Sequence, residues 1–398
     1  MTTEPPEQIS VTGPASIEES APLHEPYVRL FLRFLRFGLL AWGGPVAQIA
    51  MIRQELVEEQ RWISRERFNR VLAVYQVLPG PEAHELCVYF GMIARGRLGA
   101  ILAGLGFMLP GFLLMLGLSW FYVTYGIRSP LFADLFYGFQ AAVTALIARA
   151  VFRIGGHALN DRWLWGIAIF SGIAQLLGVN FLITLVLAGI AYAWIRHRTL
   201  PSFSQAAVFL PLSSLSLTTL SDPPNLLALL FYGLRSGLLT FGGAYTVIPF
   251  LQHDAVIAGG WMTNEQFLDG LALSSILPAP LIIFATFVGY LGGGPFGALV
   301  LTVGIFFPAF AFTLVGHNYL ERPVENKSAH AFLDGVTAGV VGLIAVTAID
   351  LFRSAVTDLP ALAIFSAAFL VLYRWKAKAA IAVVVLCAGL LGLFFNNP

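Results

Sequence analysis

A chain of 398 residues that is 58% hydrophobic and only 11% charged, with a mean hydropathy of +0.78, cannot cover its own surface in water. Soluble domains carry about 25% charged residues, so lipid must be the solvent for most of this chain. Its net charge of +1 gives no basis for nucleic acid or an acidic macromolecule as partner, and Cys87, Cys387 and the seven scattered histidines predict neither a disulfide framework nor a metal site.

Residues 1–28, with Glu4, Glu7, Glu18, Glu19 and Glu25 among Pro and Ser, read as a disordered acidic tail. The tail lacks the basic start, apolar stretch and cleavage site of a secretory signal, so targeting is expected to rest with the first spans. Apolar segments follow near 37–52, 70–94, 98–122, 132–154, 163–178 and 180–195. A second series runs near 226–251, 267–290, 295–316, 331–353, 359–373 and 377–395. Several approach the length a helix needs to span a bilayer, which predicts an all-α polytopic membrane protein with about 10–12 membrane segments. The organisation expected is a first membrane repeat over 29–196, a linker over 197–225 and a second repeat over 226–398. Within the linker, 206–220 is apolar enough for an extra interfacial or spanning piece.

The two series are copies. An offset of 199 residues places Gly43-Gly44 on Gly242-Gly243, Trp62 on Trp261, Glu66 on Glu265 and Leu78-Pro79-x-Pro81 on Leu277-Pro278-x-Pro280. A one-residue gap then brings Gly99-Ala100 onto Gly297-Ala298 and Pro110 onto Pro308. Shared apolar residues would mean little in so hydrophobic a chain, whereas Gly, Pro, Trp and Glu recurring at one offset do not arise by chance.

Charge indicates that the copies face opposite ways. Arg53, Arg61, Arg65, Arg67 and Arg70 follow the first Gly-Gly pair, and Arg95 and Arg97 come later. The second copy has no Lys or Arg between Gly243 and residue 291, only Asp254, Glu265, Asp269 and His253. By the positive-inside rule the first set is cytoplasmic and the second lies on the far side, so inverted repeats are expected, with charge drift as the plainer alternative. Arg29, Arg33 and Arg36 resist this scheme, because an odd number of crossings per half puts them outside. Their spacing shares one helical face and allows a surface-lying start.

Val77-Leu78-Pro79-Gly80-Pro81-Glu82-Ala83-His84-Glu85 is the sharpest local feature. Pro and Gly break a helix, and broken backbone at membrane depth is tolerated only inside protein or beside a wet cavity. The arginines flanking 70–94 want one face, so this segment is read as a re-entrant hairpin rather than a kinked span. A helix beginning after Pro81 would offer unpaired amides and a partial positive charge to an anion. Glu82, His84 and Glu85 are ionisable groups at that depth and therefore functional candidates for carrying protons. Glu82 has a second reading as a first-turn carboxylate that stabilises the helix end, and His84 one as an interfacial histidine. The second copy has Leu281, Ile283 and Phe284 at the aligned positions, so titrating chemistry is expected in the first half alone.

Trp42-Gly43-Gly44-Pro45 is matched by Phe241-Gly242-Gly243-Ala244. Paired glycines permit close helix packing, but broken segments in corresponding positions of two halves point to a transporter's binding site. Arg149 and Arg153 fall one turn apart in an apolar segment; Arg149 is the deeper and could attract an anion, while Arg153 could merely snorkel to the interface. Asp350 calls for a basic partner that the sequence does not identify.

Trp42-Gly43-Gly44-Pro45, Leu78-Pro79-Gly80-Pro81-Glu82-Ala83 and Gly106-Phe107-Met108-Leu109-Pro110-Gly111-Phe112 together resemble the chromate ion transporter family over about residues 30–395. The resemblance implies two homologous halves, export of chromate (a tetrahedral dianion like sulfate) powered by the proton motive force, residence in the inner membrane and chromate resistance. By position it carries Gly43, Gly44, Pro45, Pro79, Gly80, Pro81 and Glu82 into the pathway, which the repeat extends to Gly242, Gly243, Pro278 and Pro280. His84-Glu85 departs from the uncharged polar pair expected there. The partners implied are the oxyanion, protons and the lipid bilayer, with a homodimer allowed and no cofactor. A sulfate or other oxyanion carrier is the nearest alternative, and a passive anion channel stands in a different class. No His-Glu-x-x-His or Gly-x-Ser-x-Gly motif supports an enzyme.

Overall fold

The computed structural model describes residues 25–76, 78–126, 129–197, 224–241, 243–320, 327–375, 377 and 379–395. The expected tail and linker lie almost wholly outside them, as does Gly242. Every regular element among the described residues is helical, and α1 runs Tyr27–Leu39, α2 Gly44–Arg53, α3 Arg65–Tyr75, α4 Glu82–Thr124, α5 Pro130–Ala158, α6 Arg162–Leu176 and α7 Phe181–His197. The second half follows as α8 Leu226–Leu238, α9 Ile248–Gln252, α10 Asn264–Ser275, α11 Phe284–Leu320, α12 Lys327–Ala355, α13 Leu359–Arg374 and α14 Ala380–Phe395.

The copies agree in their irregularities. A π-helical turn extends α2 over Gln54–Glu59, and another follows α9 over His253–Ala258. Ser64 caps α3 by accepting from the Arg67 amide, and Thr263 caps α10 by accepting from Gln266. Arg61 (φ 54) and Gly260 (φ 65) occupy the same left-handed turn. Most telling, α4 breaks at Arg95 (φ −149, ψ 26) and Gly96 (φ 62, ψ −154), and α11 breaks at Gly293 (φ −160, ψ 27) and Gly294 (φ 60, ψ −152). Each break folds the helix into two arms pressed so closely that a Cβ on Gly91 or Gly289 would sit 2.4 Å from the carbonyl oxygen of Gly99 or Gly297.

Those breaks make half-length arms. With 13 residues, α1 is about 20 Å long, short of the roughly 30 Å hydrocarbon layer. It enters, turns at Trp42–Gly44, and α2 returns. Then α3 enters, the Pro-Gly-Pro stretch turns, and the first arm of α4 returns. The segment near 37–52 is thus the tip of a hairpin and not a span. Arg33 and Arg36 both pair with Glu55, while Arg95 Nε donates to the Glu25 carbonyl at 2.8 Å. Arg53 and Arg65 meet on Glu58. The start of α1 therefore shares a face with the basic turns after α2 and α4, and Arg29, Arg33 and Arg36 need not be placed on the opposite side.

Among the described residues, four helices are long and apolar enough to cross a membrane: α4, α5, α11 and α12. Lipid tails are as apolar as the helices, so association relies on close packing at small residues. The two halves interlock in this way. α5 packs on α13 and α14 of the second half, and α12 packs on α6 and α7 of the first. A Cβ on Gly138 would lie 1.9 Å from the Ala388 carbonyl oxygen, and one on Gly342 would lie 2.1 Å from that of Ala168.

Direction can be read along the second arm of α4. Gly111 lies against Ala279 and Ile283, and Tyr122 against Phe287, their ring centroids 5.0 Å apart. The first arm of α11 therefore ascends beside α4 in the same direction. The equivalent first arm of α4 descends beside it, Val88 facing Gly104 and Gly91 facing Gly99.

Candidate functional site

Four broken tips meet where the halves face one another. Pro79, Gly80 and Pro81 are buried, with Gly80 at φ 153. The Gly80 amide donates to the Thr240 carbonyl at 2.9 Å, joining the Pro-Gly-Pro tip of the first half to the Gly-Gly tip of the second. The quasi-equivalent pair, Ala279 and Ala41, is not joined. The Ala279 amide donates to the Leu277 carbonyl at 2.9 Å, and the Ala41 carbonyl accepts from Gln48 Nε2 at 2.9 Å.

A cavity of about 30 Å³, room for a water or two, stands beside that unjoined pair. Trp42, Gly43 and Gly44 line one side, and Tyr245, Ser274, Ser275, Leu277, Ala279 and Leu281 line the other, with Leu146, Ile381 and Ala382 completing the wall. Trp42 is 38% exposed whereas its counterpart Phe241 is 3% exposed, so the first Gly-Gly tip is open and the second is packed. α2 begins at this opening. Gly43 (φ 89) is its N-cap, no side chain caps it, and Pro45 follows within the first turn. Glycine suits the left-handed conformation, and the uncapped first-turn amides carry the helix's partial positive charge. Ser274 and Ser275 turn their hydroxyls onto the carbonyls of Leu281 and Ala272. The Tyr245 side chain is 6% exposed and has no hydrogen bond among the described residues.

Charged groups collect at the other tip. Pro81 is the N-cap of α4, without a side-chain cap bond, and Glu82 and Glu85 are the acidic residues of its first turn. Arg153 lies within electrostatic reach of Glu82 and holds its guanidinium 5.4 Å from the centroid of the Tyr245 ring. Arg149 also reaches Tyr245. Glu85 is completely buried, and neither carboxyl oxygen has a hydrogen-bond partner among the described residues. Its carboxyl abuts Gly80, where a Cβ would meet Oε1 at 2.7 Å. His84 is wedged edge-on between Phe306 and Phe310 of the second half, at 4.9 and 4.8 Å. It is a residue of the contact between halves and not of an interface with water.

The structure thus gathers Gly43, Gly44 and Pro45 beside the cavity and Pro79, Gly80, Pro81, Glu82 and Glu85 at the joined contact. Pro278 and Pro280 flank Ala279 on the cavity's far wall, and Gly243 precedes the Tyr245 turn. Sequence reasoning passed over Thr240, Tyr245, Ser274 and Ser275. Their positions in the Gly-Gly and Pro-x-Pro motifs of the second half were the available signal. Arg153 is exposed and holds its guanidinium over the Tyr245 ring.

A family model described as chromate transporter matches residues 28–194 and again 227–393. A chromate transport protein of Pseudomonas aeruginosa is 56% identical over 396 residues, covering 95% of each chain. A chromate transport protein of Cupriavidus metallidurans is 32% identical, covering 92% of each. A probable chromate transport protein of Synechococcus elongatus is 31% identical over 91% of this chain and 94% of its own. No solved structure matches.

Proposed function

Because the chain belongs to the chromate transporter family, a family of multi-pass membrane transporters rather than enzymes, we propose that it exports chromate from the cytoplasm across the inner membrane, driven by inward proton movement and conferring chromate resistance. The observation that carries this reading is the unequal pair of tip contacts. One is closed by Gly80 and Thr240, and the other opens into a cavity at Gly43 and Gly44.

Equivalent arms that run in opposite directions along α4 support an inverted pair of repeats. In such a pair, exchanging the conformations of the two contacts exchanges which face the site addresses. Chromate is a tetrahedral oxyanion, and uncapped amides at the start of α2 suit it without a bound cation. Arg149 and Arg153, beside Tyr245, draw the anion toward the tips. Glu82 takes up a proton in the same neighbourhood, so the carboxylate that reaches Arg153 competes with the anion for it. Glu85 and His84 form the buried part of this proton-linked set. Gly243, Pro278 and Pro280 supply the broken backbone of the opposing tips.

Everted vesicles holding the protein test the scheme. Chromate uptake should rise when a pH gradient is imposed, and chromate preloaded inside should accelerate uptake of labelled chromate without any gradient. Sulfate preference would reassign the substrate. Leak without counterflow would make the protein a channel.

A further inference from the structure

The second half carries a buried carboxyl that the scheme above leaves unused. Asp269 on α10 is 6% exposed. Its Oδ2 accepts from the Tyr122 hydroxyl of α4 at 2.7 Å, and its Oδ1 accepts from Gln140 Nε2 of α5 at 2.8 Å. Among the described residues no cation offsets it; the charged group within its electrostatic reach is Glu265, on its own helix. α11 faces this region with the rings of Phe284 and Phe287, and no charge reaches Asp269 from α12 or α14 among the described residues.

We propose that Asp269 is a proton-binding site of the second half, loaded from the face at which the α10 hairpin begins. The proposal rests on the reading that protons drive transport. Three observations carry it. A buried carboxylate without a cation is costly, so its presence at membrane depth calls for a function.

Its two partners also serve both protonation states. The Gln140 amide donates to Oδ1 in either. The Tyr122 hydroxyl donates to Oδ2 of the carboxylate, and accepts from Oδ2–H once a proton has been added, because a phenol can do both. Taking up one proton turns the carboxylate into the neutral acid with rotation of one hydroxyl hydrogen and no lost hydrogen bond.

Glu265 supplies the route in. It is exposed near the start of α10, four residues before Asp269 and on the same helical face. The first half has Glu66 and Arg70 at the equivalent positions, so the fold itself does not demand this carboxylate pair. Through Tyr122 the site is tied to the second arm of α4, which packs through Gly99 and Gly104 against the first arm that carries Glu82 and Glu85.

Wild type, Asp269→Asn and Tyr122→Phe in proteoliposomes test the proposal through pH-driven chromate uptake, gradient-free chromate counterflow, and the infrared band of a buried protonated carboxyl on a pH step. Asp269→Asn should retain counterflow, lose pH-driven uptake by about tenfold or more and lack one carboxyl band. Wild-type pH-driven uptake in Asp269→Asn, or an unchanged band, overturns the proposal. If Asp269→Asn does not fold, Tyr122→Phe decides: the midpoint pH of the band should move, and an unmoved midpoint overturns it. If wild type shows no pH-driven chromate transport, the transport reading fails while the infrared titration still settles Asp269.

Discussion

The amide of Gly80 donates a 2.9 Å hydrogen bond to the carbonyl of Thr240, so the broken tip of one half closes on the broken tip of the other. The same two positions in the opposite pairing, Ala279 and Ala41, turn to local partners, and a cavity stands between Ala279 and the neighbouring Trp42–Gly44 turn. One sequence motif thus serves two conformations, which is the property alternating access requires.

Gly80→Ala should disable transport without any change of charge. The new Cβ would meet the Glu85 carboxyl at 2.7 Å, on a backbone whose φ of 153 side chains rarely adopt. Strain of this kind costs about 1–3 kcal/mol. Thermal unfolding in detergent should fall accordingly, and chromate uptake should be lost; Gly80→Leu should abolish binding outright. Undiminished uptake in Gly80→Ala would remove the tip contact from the mechanism.

Glu82→Gln separates proton coupling from anion binding. Uptake driven by a pH gradient should disappear while counterflow and expression persist. The amide keeps the shape but carries no proton, so loss of both activities would place Glu82 in binding rather than coupling.

Tyr245→Phe keeps the ring beneath Arg153 and deletes the hydroxyl beside the cavity. If that hydroxyl binds substrate, half-saturation for chromate should rise by about fivefold to tenfold, the worth of roughly 1 kcal/mol for one neutral hydrogen bond. Maximal counterflow should change little. An unchanged concentration dependence would confine Tyr245 to packing.

An Arg–carboxylate pair recurs in both halves, as Arg36 with Glu55 and Arg235 with Asp254, but its surroundings differ. Arg36 is 56% exposed, whereas Arg235 and Asp254 are 16% and 1% exposed. Arg235 also lies between the Phe181 and Tyr232 rings, at 5.1 and 5.4 Å. Breaking a buried pair costs about 3–5 kcal/mol, and an exposed one about 0–1 kcal/mol. Arg235→Met should therefore lower the unfolding temperature far more than Arg36→Met; equal effects would refute the contrast.

Asp161 sits in the turn before α6 and caps it through the amides of Trp163 and Leu164, at 2.8 and 3.0 Å, while accepting from Tyr192 at 2.7 Å. Partial burial pushes its carboxyl up, but the hydrogen bonds from Tyr192 and the two amides outweigh that and hold it below the ordinary value. A depressed carboxyl stabilises the fold above its unfolded value, near pH 4, and loses that contribution as pH falls through the folded value. Asp161→Ala should cost about 1 kcal/mol at pH 7. The cost should shrink in acid, as measured by unfolding at pH 7 and pH 3.

The sequence alone determined the solvent, the duplication and the places where helices break. Each follows from residue chemistry that acts locally: 58% hydrophobic residues need lipid, and Gly and Pro deny the backbone its helical hydrogen bonds wherever they stand. Residues 70–94 could be read as a hairpin because Arg70 and Arg95 bracket Pro79-Gly80-Pro81. Only the tertiary structure decided which tips meet, and it put the N-terminal arginines on the same face as Glu55 and Arg95. It also brought Tyr122 to Asp269 across 147 positions and Tyr75 to Thr313 across 238. Such pairings depend on how interlocked helices stack in lipid, where small residues set the spacing from a distance. No local pattern around Asp269 distinguishes a surface acid from a buried one, because its burial is supplied by α4 and α5.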